Sequence, residues 1–234
     1  MPNTRSTISK QLEAARIAIA NSQADAEIKA LVAAYGYDDA KLAEGQQLYD
    51  TASAAVSAQT NADGAQKAAT ENLQAAKEQA TKAYQKLAKV ARAITKPSEA
   101  SSLGLDGAMP KASADFLKAA GILFDNAANI PGLSKYGYDA AKLTAERAAI
   151  DAYAVASSNK EIAKGAAQQA SAAQDAALLA LNQWTAQYIK IARVALSDTQ
   201  LSEKIGVMAR NSKTAAQRAA AAKKQTQTPP AASS

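Results

Sequence analysis

The chain contains neither cysteine nor histidine. Their absence excludes a zinc site on Cys or His, a disulfide framework, a haem held by His or Cys, and a Ser-His or Cys-His nucleophile. A diiron bundle site of the Glu-x-x-His kind falls with them. Aromatic residues are few: two Phe, one Trp and eight Tyr. β-branched residues are sparse and scattered, so no strand is expected. The longest charge-free stretch of the apolar C-terminal half, Ala176 to Ile189, contains Asn182, Gln183 and Gln187. It is too short and too polar to span a bilayer. Charges at Arg5, Lys10, Glu13 and Arg16 interrupt the N-terminal segment. No secretory signal is expected there, and the cytoplasm is the default compartment.

What is present in abundance is alanine, 63 of 234 residues. Alanine has the highest helix propensity and buries little area, and it lets helix axes approach closely. The expected fold is all-α, an antiparallel Ala-rich helical bundle with coiled-coil-like packing.

The net charge of +6 is unevenly spread. Residues 1–200 are nearly neutral, and the excess sits on a tail that includes Arg210, Lys213, Arg218, Lys223 and Lys224. The body of the fold is therefore not expected to present a basic face.

An internal repeat organises the chain. Tyr35-Gly36-Tyr37-Asp38 recurs as Tyr136-Gly137-Tyr138-Asp139, an offset of 101. The correspondence continues without a gap through Lys41/Lys142, Leu42/Leu143, Asp50/Asp151, Gly64/Gly165, Lys89/Lys190 and Arg92/Arg193. The tetrapeptide reads as a helix–helix corner. Gly36 and Gly137 supply positive φ after one helix, Asp38 and Asp139 cap the next, and both tyrosines of each corner pack across it. The expected organisation is a first helical repeat over 1–96, a linker over 97–110, a second repeat over 111–197, a basic helix over 198–224 and a disordered tail over 225–234.

Within the first repeat, a helix is expected from about Thr7 to Ala34 and another from Asp39. Leu42, Tyr49 and Val56 repeat every seven residues; so do Leu73, Ala80, Leu87 and Ile94. These two registers do not join, and Thr60 to Gly64 offers turn chemistry between them. A turn near 57–72 is preferred over one helix of about 59 residues and about 90 Å. The last helix is expected to open on a capping box of Ser197 and Gln200.

Candidate chemistry is thin. Glu44 and Asp50, with Glu146 and Asp151 in the second repeat, would need to meet on one inner face to hold a divalent cation through oxygen. Solvated helix-face acids are the preferred reading, so no metal or cofactor is expected. A stripe of Lys82, Lys86, Lys89, Arg92 and Lys96 lacks interleaved aromatics and reads as a solvated face. The basic tail admits only weak, salt-sensitive nucleic-acid binding. The expected function is a non-enzymatic structural or interaction protein, presenting long Ala-rich helices to a protein partner or to itself. The alternatives are an amphipathic lipid- or granule-surface binder, with membrane binding disfavoured, and a carboxylate-ligated metal-binding bundle.

Overall fold

The computed structural model describes residues 5–196 and 199–207. All the regular structure in that range is helical: α1 (Arg5–Ala24), α2 (Ala26–Ala33), α3 (Asp39–Ile94), α4 (Pro97–Ser102), α5 (Ser113–Ala127), a 3-10 turn over Leu133–Tyr136, α6 (Ala140–Ala195) and α7 (Thr199–Lys204). No helix among the described residues is long and apolar enough to cross a membrane. The expected helix over 7–34 is divided at Asp25, whose backbone is extended. The Asp25 carboxylate accepts the Glu27 and Ile28 N–H groups at 3.1 and 3.2 Å, so the side chain caps α2. The tail cations Arg210, Lys213, Arg218, Lys223 and Lys224 lie outside the described residues, as do Ser197 and the expected tail over 225–234.

The turn expected near 57–72 is absent. α3 is one helix of 56 residues, about 84 Å long at 1.5 Å per residue. The two heptad lines do not need a break between them. They differ by three positions within the seven-residue frame, and residues i and i+3 share a helix face. Buried or half-buried positions accordingly run 45, 52, 59, 66, 73, 80, 87, 94 without interruption. Thr60 to Gly64 stays helical despite its turn chemistry because Asn and Asp cost a helix only a few tenths of a kcal/mol and Gly about 1 kcal/mol. α6 is also 56 residues long. Asp39 to Ala140 and Ile94 to Ala195 are both steps of 101 residues.

The chain folds as two compact units, and they do not coincide with the stretches 1–96 and 111–197. One contains residues 5–53 and 176–207 of the described chain; the other is 54–175. The reason lies in the uninterrupted helices. A helix without a turn cannot fold its two ends into one core, so each long helix contributes its ends to different units.

In the first unit, α1, α2 and the start of α3 bury Ile19, Ile28, Val32 and Leu42. The end of α6 supplies Leu178, Leu181, Trp184 and Tyr188, and α7 with the chain after it supplies Leu201, Ile205 and Val207. In the second unit, the end of α3, α5 and the start of α6 share a core that includes Tyr84, Leu87, Phe116, Leu123, Ile150 and Tyr153.

Candidate functional site: two helix corners and an aromatic core

The repeated tetrapeptides form sharp corners. Gly36 and Gly137 adopt φ of 86° and 80°, a region open to glycine without strain. Asp38 Oδ1 accepts the Lys41 N–H at 2.9 Å, and Asp139 Oδ1 accepts the Lys142 N–H at 2.8 Å, which caps α3 and α6 respectively. The tyrosines divide their roles. Tyr37 and Tyr138 are buried, each 4% exposed, whereas Tyr35 and Tyr136 stand out at 51% and 60%. The expectation that both tyrosines pack across each corner is therefore corrected. Adjacent side chains around a positive-φ glycine diverge, so only the residue after the glycine reaches the core.

An open concavity flanks each corner. Beside the first, about 640 Å³ lies between α2 and the start of α3, lined by Lys29, Ala33, Asp38 and Asp39 among others. Lys29 Nζ lies 2.8 Å from Asp39 Oδ1 across it. Beside the second, about 420 Å³ is lined by Ile130, Leu133, Tyr138, Asp139 and Leu143 among others. Lys142 Nζ sits 4.3 Å from the centre of the Tyr138 ring, a cation–π contact.

Tyr37 leads from the first corner into an aromatic cluster. Its ring meets Trp184 edge-on at 5.7 Å and Tyr188 at 5.0 Å, and Trp184 stacks on Tyr188 at 5.3 Å. The Tyr188 hydroxyl hydrogen-bonds with Ser22 Oγ, which also reaches the Ala18 carbonyl at 2.6 Å. Burial pushes the Tyr37 and Tyr188 hydroxyls above the ordinary phenol range; the Ser22 bond partly offsets this at Tyr188. Tyr37 Oη, Trp184 Nε1 and Thr185 Oγ1 are buried with no hydrogen-bond partner among the described residues. The concentration of large apolar residues around Trp184 and Tyr188 marks that helix segment as core, but the spacing does not reveal that Tyr37 joins them. Nor does it reveal that Trp184 faces Gly45, the residue whose missing side chain makes room for the indole.

The candidate acids divide between the units. Glu44 accepts Lys41 Nζ at 2.7 Å and Asp50 accepts Gln46 Nε2 at 2.9 Å, both in the first. In the second, Asp151 accepts Arg147 Nε at 3.2 Å, and Glu146 buries Oε2 without a partner among the described residues. No group of three acids able to hold one metal ion occurs among the described residues. Of the expected basic stripe, Arg92 is engaged: its guanidinium donates to the Leu105 and Gly107 carbonyls at 2.9 to 3.3 Å and fixes the segment after α4. Comparison with protein-family models, with curated proteins and with solved structures finds no match to this chain.

Proposed function

We propose that this protein is a non-enzymatic interaction scaffold, a duplicated all-helical bundle that presents its long helices and their corners to a protein partner or to another copy of itself. The observation that carries this reading is the pair of corners. The same four residues, at the starts of two helices of equal length, each place one tyrosine in a core and hold the other in solvent. Burial explains why Tyr37 and Tyr138 are tyrosine-sized. It does not explain Tyr35 and Tyr136, which stand at the two corners with more than half their surface exposed. Exposed aromatic residues at paired positions are the usual anchors of a protein interface. Residue chemistry supports a non-enzymatic role: the chain has no thiol or imidazole, and the candidate carboxylates Glu44, Asp50 and Asp151 are each paired with a nearby Lys, Gln or Arg side chain. The proposal requires no cofactor and places the protein in the cytoplasm.

The test is a pull-down from native lysate at low and high salt. It uses the full chain, a Tyr35→Ala/Tyr136→Ala variant and a chain ending at residue 207. The expected result is a partner retained by the full chain and the shortened chain at both salts, and lost from the double variant. Retention only by the full chain, abolished by salt, would transfer the activity to the basic tail and refute the corner reading. Retention of nothing would refute the scaffold itself, unless the chain associates with its own copies.

A further inference from the structure

α6 carries two helical seams. The first faces inward, with every position of 146, 153, 160, 167, 174, 181, 188 and 195 buried or half-buried. The second runs along the opposite side, at 145, 148, 152, 155, 159, 162, 166, 169 and 173, and every one of these residues is exposed. Their spacing alternates three and four, the period of a helix that packs lengthwise against another helix. Val155 and Ile162 stand at its middle, 59% and 67% exposed; Asn159 lies between them, Gln169 beyond, and the remaining five positions are alanine. The whole stripe lies within the second unit.

The corresponding face of α3 shows that this is not a by-product of alanine content. Positions 44, 47, 51, 54, 58, 61, 65, 68 and 72 are equally exposed, and they hold Ala, Asn, Gln, Thr and Glu with no aliphatic residue larger than alanine. Branched aliphatic side chains in solvent on only one of two matching helices contribute nothing to either unit's own core.

We infer that the outer face of α6 pairs with the same face of a second copy of this chain. The inference rests on the reading of the protein as an interaction scaffold and names one partner for it. The heptad spacing calls for a helix as occupant. Three features point to a second copy as the source of that helix. First, charges beside a seam set which helix it accepts, and here the flanks are almost bare, so nothing there rejects an identical helix. Alanine fills 149, 156, 163 and 170 on one side, and Thr144, Asp151, Ser158, Gly165 and Ala172 the other; Asp151 is already paired with Arg147. Second, residues 140–175 are neutral, with Lys142, Arg147, Lys160 and Lys164 against Glu146, Asp151, Glu161 and Asp175, so two copies do not repel. Third, the size of the face suits a weak, reversible pairing. A face about 45 Å long and about 9 Å wide gives about 400 Å² per copy, about 800 Å² in total. That falls among small, weak associations, below the roughly 1,000 Å² of a stable interface. Alanine lining favours close approach of the two helices, and Asn159 near the centre fixes their register, as a polar residue in an apolar seam does.

Sedimentation of the full chain over a wide concentration range tests this. The expected result is a reversible dimer with a dissociation constant on the order of 10–100 µM, the weak end for an interface of this size. Val155→Glu/Ile162→Glu should raise that constant at least about tenfold, since each buried charge meets its copy in the seam. Helicity and Tm should stay unchanged, because both side chains are solvent-exposed. The absence of native cysteine allows a second readout. Asn159→Cys should form a disulfide-linked dimer under mild oxidation, and Gln168→Cys, on the same helix away from the stripe, should not. A wild-type chain that stays monomeric at all concentrations would overturn the pairing; so would a dimer that the double Glu variant leaves intact. A monomeric chain that still retains a foreign protein through Tyr35 and Tyr136 would refute the self-pairing alone and leave the scaffold reading in place.

Discussion

The two units are assembled from matching parts and filled with different bulk. Each takes the start of one 56-residue helix, the end of the other and shorter helices beside them. In the first, the end of α6 supplies the large rings Trp184 and Tyr188, and buried positions elsewhere in the unit are small: Ala15, Ala52 and Gly45, which faces the indole. In the second, the residues 101 positions away invert this. Ala83 and Leu87 replace the indole and phenol, and Phe116 and Tyr153 stand where Ala15 and Ala52 were. Tyr84 meets Phe116 at 5.4 Å, and Phe116 meets Tyr153 at 5.9 Å. Large rings fill both cores, but they come from different helices. Close packing explains why: interiors tolerate exchange of side chains when volume is kept. The polar ends of the rings differ as well. Tyr153 donates to Ser113 Oγ at 2.7 Å, whereas Tyr37 and Trp184 leave theirs unpartnered among the described residues.

The strongest way to break the comparison is to remove one ring from each unit. Trp184→Ala and Phe116→Ala should each cost about 3–5 kcal/mol by lost burial and cavity formation. Trp184 should lie at the upper end, because Gly45 opposite it has no side chain to collapse into the space. Hydrogen exchange would localise the damage. Trp184→Ala should accelerate amides of α1 and of 178–192 before those of α5, and Phe116→Ala should do the reverse. Identical exchange patterns for the two variants would mean that the units open as one.

Next in size is Gly45→Ala. A Cβ there would lie 2.4 Å from two atoms of the Trp184 ring, and Tyr37 and Tyr188 pack against that ring. Overpacking of this kind costs about 1–3 kcal/mol, which outweighs the roughly 1 kcal/mol gained by replacing a helix glycine. Trp184→Leu should relieve the clash, so chemical denaturation of the Gly45→Ala/Trp184→Leu double variant should show it less destabilised than the sum of the singles. Additive losses would mean that Gly45 has another role.

Much of this architecture was readable from residue order, and the failures have specific physical causes. The helical class, the corners and their Asp caps follow from alanine content and from Gly and Asp at fixed offsets. The continuity of α3 was misread because two stripes three residues apart look discontinuous in a seven-residue count, although they share a face. The unit boundaries were hidden for a related reason: a recurring motif marks similar local structure, while compactness depends on where long helices end. The division between Tyr35 and Tyr37 depends on a single positive φ, and the Trp184–Gly45 fit depends on two residues 139 positions apart. Neither leaves a periodic trace. The aliphatic stripe on α6 was legible in principle, but alanine on every face of the helix masks a second seam until exposure separates inside from outside.

Alkaline pH should test whether the units resemble one another in how they hold their phenols. Burial raises the pKa of Tyr37 and Tyr188 in the first unit and of Tyr84 and Tyr138 in the second. A raised folded-state value means that the folded chain holds its phenol protons more tightly than the unfolded chain. Stability is therefore intact below about pH 10, the unfolded phenol value, and falls as pH rises through the folded values. Denaturation midpoints measured from pH 8 to pH 12 should decline only above that point. Tyr37→Phe should flatten the decline, and at neutral pH it should be neutral or stabilising, since it deletes a buried hydroxyl without a partner among the described residues. A stability curve flat through pH 11 would show that the phenols are not desolvated.

The smallest expected effects are the most discriminating about the glycines. Gly64 and Gly165 correspond at the offset of 101, lie inside α3 and α6, and would place a new Cβ with nothing within 4 Å. Neither has a positive φ. On helix propensity alone, Gly64→Ala and Gly165→Ala should each stabilise the chain by about 0.5–1 kcal/mol, additively, because the unfolded chain loses freedom and the folded chain loses nothing. The same substitution thus changes sign between Gly45 and this pair, because the indole occupies the space that a Cβ at buried Gly45 would enter. Gly165 also borders the outer face of α6. If Gly165→Ala raises Tm as Gly64→Ala does but weakens the dimer, the added methyl is felt across the pairing seam and not within the fold. If both glycines behave alike in stability and in association, close approach at 165 is not part of the pairing, and the contact is confined to Val155, Asn159 and Ile162.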